Sequence, residues 1–345
     1  MYTAFFHLRE RPFELTANPR FFFLTDTHRS ALVTLWYGIT ARKGLVALIG
    51  DAGTGKTSVI QTVMARLRDE GSDYAYLDNP TLTTTEFRRF VARAFHLGPE
   101  AEACKTTLIE ALRRRLAESD GDGRPTVFII DEAQVLPDAL LEEIRLLANL
   151  ETAEAKLLQV ILVGQPELAE RLDRPGLRQL KQRIAVRVTL DPLGPDDIEA
   201  LIAGRIRIAG GDPATLFSAD GIHAVSEYAA GIPRLVQVIC DNALIAACGG
   251  GVGLVERAHV VAACAQLDLR ATSSRPGAAR LQADTVPTPA REPTPEPAVE
   301  ADQETEPGDA TDIDPWLRHR RERPMFSQPE PSRLVRFFSS RVSAP

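Results

Sequence analysis

Residues 50–57 read Gly-Asp-Ala-Gly-Thr-Gly-Lys-Thr and satisfy every required position of the pattern G-x-x-x-x-G-K-[ST]. Their context constrains the fold more than the string does. The apolar run Leu45–Ile49 precedes them, and a helical pattern from Lys56 to about Asp69 follows. A buried strand that feeds a glycine-rich turn into a helix N-terminus is a phosphate-binding loop. The glycines let main-chain N–H groups converge on anionic oxygens with no Cβ in the way, and the helix dipole favours the same charge. Gly50, Asp51, Ala52, Gly53, Thr54, Gly55, Lys56, Thr57 and Ser58 are therefore expected to hold ATP. In that arrangement Lys56 neutralises the β- and γ-phosphates, and the Thr57 hydroxyl ligates Mg²⁺.

Beyond this loop, strand and helix signals alternate, which implies a mostly parallel sheet covered by helices. Further strands are expected at Tyr74–Leu77, Val127–Ile130, Gln159–Val163 and Val186–Leu190, with helices near Glu86–Phe95, Thr107–Glu118 and Asp138–Leu147. The fold class is α/β, a three-layer sandwich around a parallel five-stranded sheet. Val127–Ile130 is apolar throughout, as a strand buried on both faces should be, and ends in Asp131-Glu132. In open α/β sheets the carboxyl ends of the strands line the ligand crevice. Asp131 is expected to organise Mg²⁺ through its water shell, and Glu132 to orient or deprotonate the attacking water.

Three further positions are candidates. Gln165 ends the fourth strand; if that strand lies between the phosphate-loop strand and the Asp131 strand, its amide can position water near the γ-phosphate. Arg183, or failing it Arg178, precedes the fifth strand, where a fixed cation can serve a neighbouring subunit's nucleotide or simply belong to a solvated basic face. Arg234 follows Gly231-Ile232-Pro233 at a helix start and can reach back to the phosphates.

After Asp191-Pro192 the pattern turns wholly helical: Ile198, Leu201, Ile202 and Ile206 share one helix face. Residues 1–190 are accordingly read as the nucleotide-binding core and 191–269 as a small all-α lid. From 270 the chain is rich in Pro, Glu and Thr, a composition that cannot offset its ordering entropy, so 270–345 is expected to be a disordered tail. Its basic and aromatic end, including Arg333-Leu334-Val335-Arg336-Phe337-Phe338, is either solvated or suited to an anionic membrane surface or a partner's groove. Net charge of −7 argues against a general nucleic-acid coat. Cys104, Cys240, Cys248 and Cys264 lack metal spacing and are expected to be buried thiols in a reducing compartment. With neither a signal peptide nor a transmembrane span legible, a cytoplasmic location is expected, peripheral to the inner membrane if the tail docks there.

The phosphate loop, Asp131-Glu132, the polar end of strand four and the Gly-x-Pro-Arg helix start together resemble the AAA+ superfamily. Over residues 1 to about 269 the chain looks like the ExeA/GspA-type ATPases of general secretion and related exopolysaccharide or exosortase systems. The matching blocks are Arg11-Pro12-Phe13-x-Leu15-Thr16-x-Asn18-Pro19-Arg20-Phe21, Ile130-Asp131-Glu132-Ala133-Gln134, Val163-Gly164-Gln165-Pro166-Glu167-Leu168 and Leu177-Arg178-Gln179-Leu180-x-Gln182-Arg183-Ile184. The resemblance implies ATP hydrolysis, self-association on ATP binding, and a membrane-associated secretion complex as partner. It further implies that residues 13–39, within a 1–40 segment counted with the core, fold against the core beside the adenine. Secretion members carry a membrane segment and a peptidoglycan-binding domain after the ATPase, where this sequence carries the Pro/Glu-rich tail. Two other functions share such a core: a nucleic-acid-associated ATPase of the transposition type, and a switch driven by nucleotide exchange.

Overall fold

The computed structural model describes residues 2–15, 21, 24–121, 123–153 and 155–271. All but the first two residues of the expected tail, with its basic-aromatic end, lie outside the described residues. Helices α1 (Tyr2–Phe5) and α2 (Asp26–Thr40) lead into strand β1 (Leu45–Gly50) and helix α3 (Lys56–Asp69). There follow β2 (Tyr74–Leu77), α4 (Thr84–Ala94), α5 (Pro99–Ala103), α6 (Lys105–Gly121), β3 (Thr126–Ile130), α7 (Asp138–Leu147), β4 (Leu158–Gly164), α8 (Pro166–Leu172), α9 (Arg178–Arg183) and β5 (Ile184–Leu190). The chain then turns to helices α10 (Pro195–Ile208), α11 (Pro213–Leu216), α12 (Ala219–Ala229), α13 (Pro233–Gly249) and α14 (Arg257–Gln266).

The five strands run parallel in the order β2-β3-β4-β1-β5. Strands β1, β3 and β4 are buried along their whole length, which is why they read as unbroken apolar runs rather than alternating ones. Their side chains still alternate between two cores. Val46, Leu48, Val127, Ile129, Ile161 and Val163 face α2 and α3. Phe128, Ile130, Val160 and Leu162 face the layer that holds α4, α6, α7 and α8. Helix starts follow local chemistry: Thr83 and Glu86 form a reciprocal capping box on α4, and Pro195 and Pro233 open α10 and α13.

Helices α10–α14 have a hydrophobic cluster of their own, and the N-terminal segment belongs to it. Tyr2, Phe6, Leu8, Phe13 and Phe21 are buried there with Ile202, Val236 and Leu244. Arg9 N–H donates to Ala209 O at 2.8 Å, and the buried Arg205 guanidinium donates to Pro12 O at 2.8 Å. Tyr2 hydroxyl donates to the Asp241 carboxylate. Among the described residues of 1–40, Leu24 and helix α2 pack on the sheet, whereas the apolar side chains of residues 2–13 and Phe21 find their complement in the helices. Cysteine burial departs from expectation: Cys240 and Cys264 are buried, Cys248 is half-buried, and Cys104 is exposed, because it lies at the turn into α6 rather than on an inward face. No helix among the described residues is long and apolar enough to cross a membrane.

Candidate functional site

The phosphate loop is shaped by two residues in left-handed conformation, Gly53 (φ 84°) and Gly55 (φ 100°). A Cβ on Gly53 would meet Arg234 Cβ at 2.9 Å, and one on Gly55 would meet His28 Nε2 at 2.6 Å. The loop is therefore squeezed between α2 and α13, and only glycine fits either place. The Thr54 hydroxyl donates to Asp51 O at 2.8 Å and closes the turn. Gly55 is the N-cap of α3 and offers no side-chain cap, so the first amides of that helix are left for an anion. Thr57 is exposed and Ser58 half-buried on that first turn.

Lys56 is buried, yet its ammonium donates to Gly50 O at 2.7 Å and Asp51 O at 2.9 Å. Burial lowers its pKa below the usual lysine range, opposed by the nearby charges of Glu132, Asp131 and Asp51. Among the described residues, this buried cation is hydrogen-bonded by carbonyls of its own loop, a position well matched to phosphate oxygens.

Asp131, at the end of β3, is 5% exposed. Tyr76 hydroxyl donates to its Oδ2 at 3.0 Å, and Glu132 N–H donates to Oδ1 at 2.9 Å. Burial first, then the Asp131 charge, pushes the Tyr76 phenol well above its ordinary pKa, so it remains a donor. Glu132 sits at φ 50°, ψ 37°, a left-handed conformation uncommon outside glycine. Its Oε2 accepts from Gln165 Nε2 at 3.1 Å and from Gln134 Nε2. Gln134 Oε1 accepts in turn from Gln165 N–H at 3.1 Å. The condition on Gln165 is met, since β4 lies between β1 and β3.

Arg234 is brought to the loop by its main chain: its N–H donates to Gly53 O at 3.3 Å, and its side chain is exposed. Arg178 and Arg183 are not brought to the loop. Both are exposed, and Arg183 adjoins Ile184, which pairs with Leu45 at the far end of β1 from Gly50. Six strand residues at ~3.3 Å each put it about 20 Å from the β1 end that carries the loop.

Two contributors had no sequence signal of their own. Gln134 was legible only as a neighbour of Asp131-Glu132. His28 is one turn into an amphipathic helix, 4% exposed, where a histidine reads as core.

A family model described as "AAA domain" matches residues 39–172. The chain is 41% identical over 251 residues to General secretion pathway protein A of Aeromonas hydrophila, covering 73% of this chain and 46% of that one. It is 25% identical over 179 residues to an ORC1-type DNA replication protein of Desulfurococcus amylolyticus, covering 49% of this chain and 44% of that one. The chain thus spans about half the length of these curated relatives. Among solved structures, Drosophila ORC bound to DNA aligns over 77% of this chain and 66% of that one with a TM-score of 0.56 at 19% identity, a likeness of fold alone.

Proposed function

Given that this chain belongs to the AAA+ ATPases of the ExeA/GspA type, we propose that it binds ATP with Mg²⁺, hydrolyses it, and uses turnover to drive or regulate assembly of a bacterial envelope secretion complex. One observation carries the chemical part: Lys56, Asp131, Glu132 and Gln165 all lie at the carboxyl ends of the adjacent strands β1, β3 and β4. The pathway part rests on the likeness to General secretion pathway protein A.

The groups present suit the metal. Thr57 offers a hydroxyl on the first turn of α3, and Asp131 offers a buried carboxylate anchored by two donors. Mg²⁺ held by Thr57 and, through water, by Asp131 would neutralise charge on the phosphoryl group. Gly53–Ser58 amides and Lys56 orient the triphosphate, and Arg234 joins from α13. Glu132 takes the proton of the attacking water as oxygen bonds to the γ-phosphorus, and ADP leaves. Gln134 and Gln165 hold that carboxylate, so it must exchange an amide for water before it acts. Arg183, with Arg178 beside it, stabilises charge on the nucleotide of a neighbouring copy. The protein would act at the cytoplasmic side, peripheral to the inner membrane.

Lys56→Ala is expected to abolish tight ATP binding, measured by calorimetry. Glu132→Gln should bind ATP with turnover lowered by about 10²-fold or more. Wild-type turnover in Glu132→Gln would remove the assignment of the base, and unimpaired binding in Lys56→Ala the assignment of the cradle.

A nucleic-acid role is the second reading. It is supported by the ORC1-type relative and by exposed Arg174, Arg178, Lys181, Arg183 and Arg187 on and beside α9 and β5. It requires ATP-dependent DNA binding that weakens steeply with salt.

A further inference from the structure

His28, on the first turn of α2, reaches the phosphate loop from outside. Its Nε2 lies 3.0 Å from Thr54 O, and its Nδ1 lies 2.6 Å from the Thr25 hydroxyl. Thr25 Oγ1 also accepts from His28 N–H at 3.3 Å, capping the helix and fixing where the ring begins. All three side chains are buried: Thr25 is 3%, His28 4% and Thr54 2% exposed.

The chemistry of the partners assigns the ring protons. A carbonyl only accepts, so Nε2 must donate to Thr54 O. Burial lowers the imidazole's pKa, which favours the neutral ring, and Nδ1 then accepts from the Thr25 hydroxyl. The two named partners anchor the ring at the cap of its own helix and at the phosphate loop.

What this does to the loop follows from peptide geometry. In a planar trans peptide the C=O and the next N–H point in opposite directions. Holding Thr54 O toward α2 therefore turns the Gly55 N–H away from α2 and the imidazole. The imidazole also fills the space a Gly55 side chain would occupy, 2.6 Å from an added Cβ, and a flipped peptide would set the Gly55 N–H donor against the donating Nε2. A second clamp holds the preceding peptide, whose Gly53 O accepts from Arg234 N–H at 3.3 Å.

We propose that His28 is a positioning residue for phosphate binding, which locks the Thr54–Gly55 peptide so that the Gly55 amide is presented to the nucleotide before it arrives. It touches no phosphate and takes no proton in the reaction. The proposal rests on the reading of residues 50–58 as a nucleotide cradle, and its test separates the two.

The experiment measures ADP–Mg²⁺ affinity by calorimetry on the full chain, with thermal stability recorded alongside. His28→Gln places an amide where Nε2 stood and preserves a donor toward Thr54 O. His28→Asn places its amide near the Nδ1 position and cannot reach that carbonyl. Loss of one organising hydrogen bond corresponds to about five- to tenfold in affinity. His28→Asn should weaken ADP binding by about that factor, and His28→Gln should recover most of it, with the two variants melting at similar temperatures. Equal affinity of His28→Asn and wild type overturns the proposal, as does a His28→Gln variant as weak as His28→Asn. Should His28→Asn not fold, His28→Phe serves in its place: it keeps the ring's volume but removes the donor to Thr54 O, and unchanged affinity there also overturns it. No ADP binding by the wild type overturns the cradle itself, a distinguishable result.

Discussion

At the scale of single residues, the site depends on backbone conformations that most side chains avoid. Gly53 and Gly55 turn the loop, and Glu132 adopts a left-handed conformation without glycine's freedom. An L residue there costs about 1–2 kcal/mol. Glu132 can bear this because its carboxylate is held by Gln134 and Gln165 and its N–H by Asp131. Gly53→Ala would have no such compensation and would meet Arg234 Cβ at 2.9 Å. It should lower stability by about 1–2 kcal/mol in chemical denaturation and weaken ADP binding. An unchanged denaturation midpoint with unchanged affinity would show that the loop relaxes freely. Lys56 and Asp131 were legible in the sequence because a phosphate-loop pattern and an acid at a strand end are local strings of residues. His28 and Gln134 were not, since what they do is decided by a contact with another element.

At the scale of elements, strand direction decides which end of the sheet each arginine lies at. In a parallel sheet every carboxyl end lies on one side, and Arg183 precedes its strand, so it is on the other. A guanidinium side chain cannot cover the length of a strand. Arg183→Ala should keep ADP affinity and lose turnover, by about 10³- to 10⁵-fold if it acts as such cations do elsewhere. Mixing Arg183→Ala with Lys56→Ala should restore part of the activity, because each supplies what the other lacks. Absence of rescue in a mixture shown to co-assemble would place Arg183 outside the reaction. The strands themselves were plain from the sequence: Tyr74–Leu77 was bounded to the residue, and the other four within two residues at either end. Short helices such as α5, α8 and α11 were not, because four to seven residues hold too little periodicity to separate them from turns.

At the scale of the whole molecule, residues 2–13 pack among helices that lie some two hundred positions later. Phe13 is 1% exposed and meets Phe217 edge-on with ring centroids 6.1 Å apart. Phe13→Ala should cost about 3–5 kcal/mol in denaturant unfolding. A loss below about 1 kcal/mol would mean that the neighbouring helices collapse into the space. No local reading could assign this segment to the helices, for periodicity reports which face is apolar and not what covers it. Tyr2 and Asp241 are 239 positions apart. Ribosomes add about 5–20 residues per second, so roughly 12–48 s separate their synthesis. For most of that interval the apolar N-terminal stretch of the nascent polypeptide has no mate, while the α/β portion behind it can already condense. Such a stretch stays open to any binder of unfolded apolar segments until the cluster's helical side, Leu193 to Cys264, has emerged to cover it.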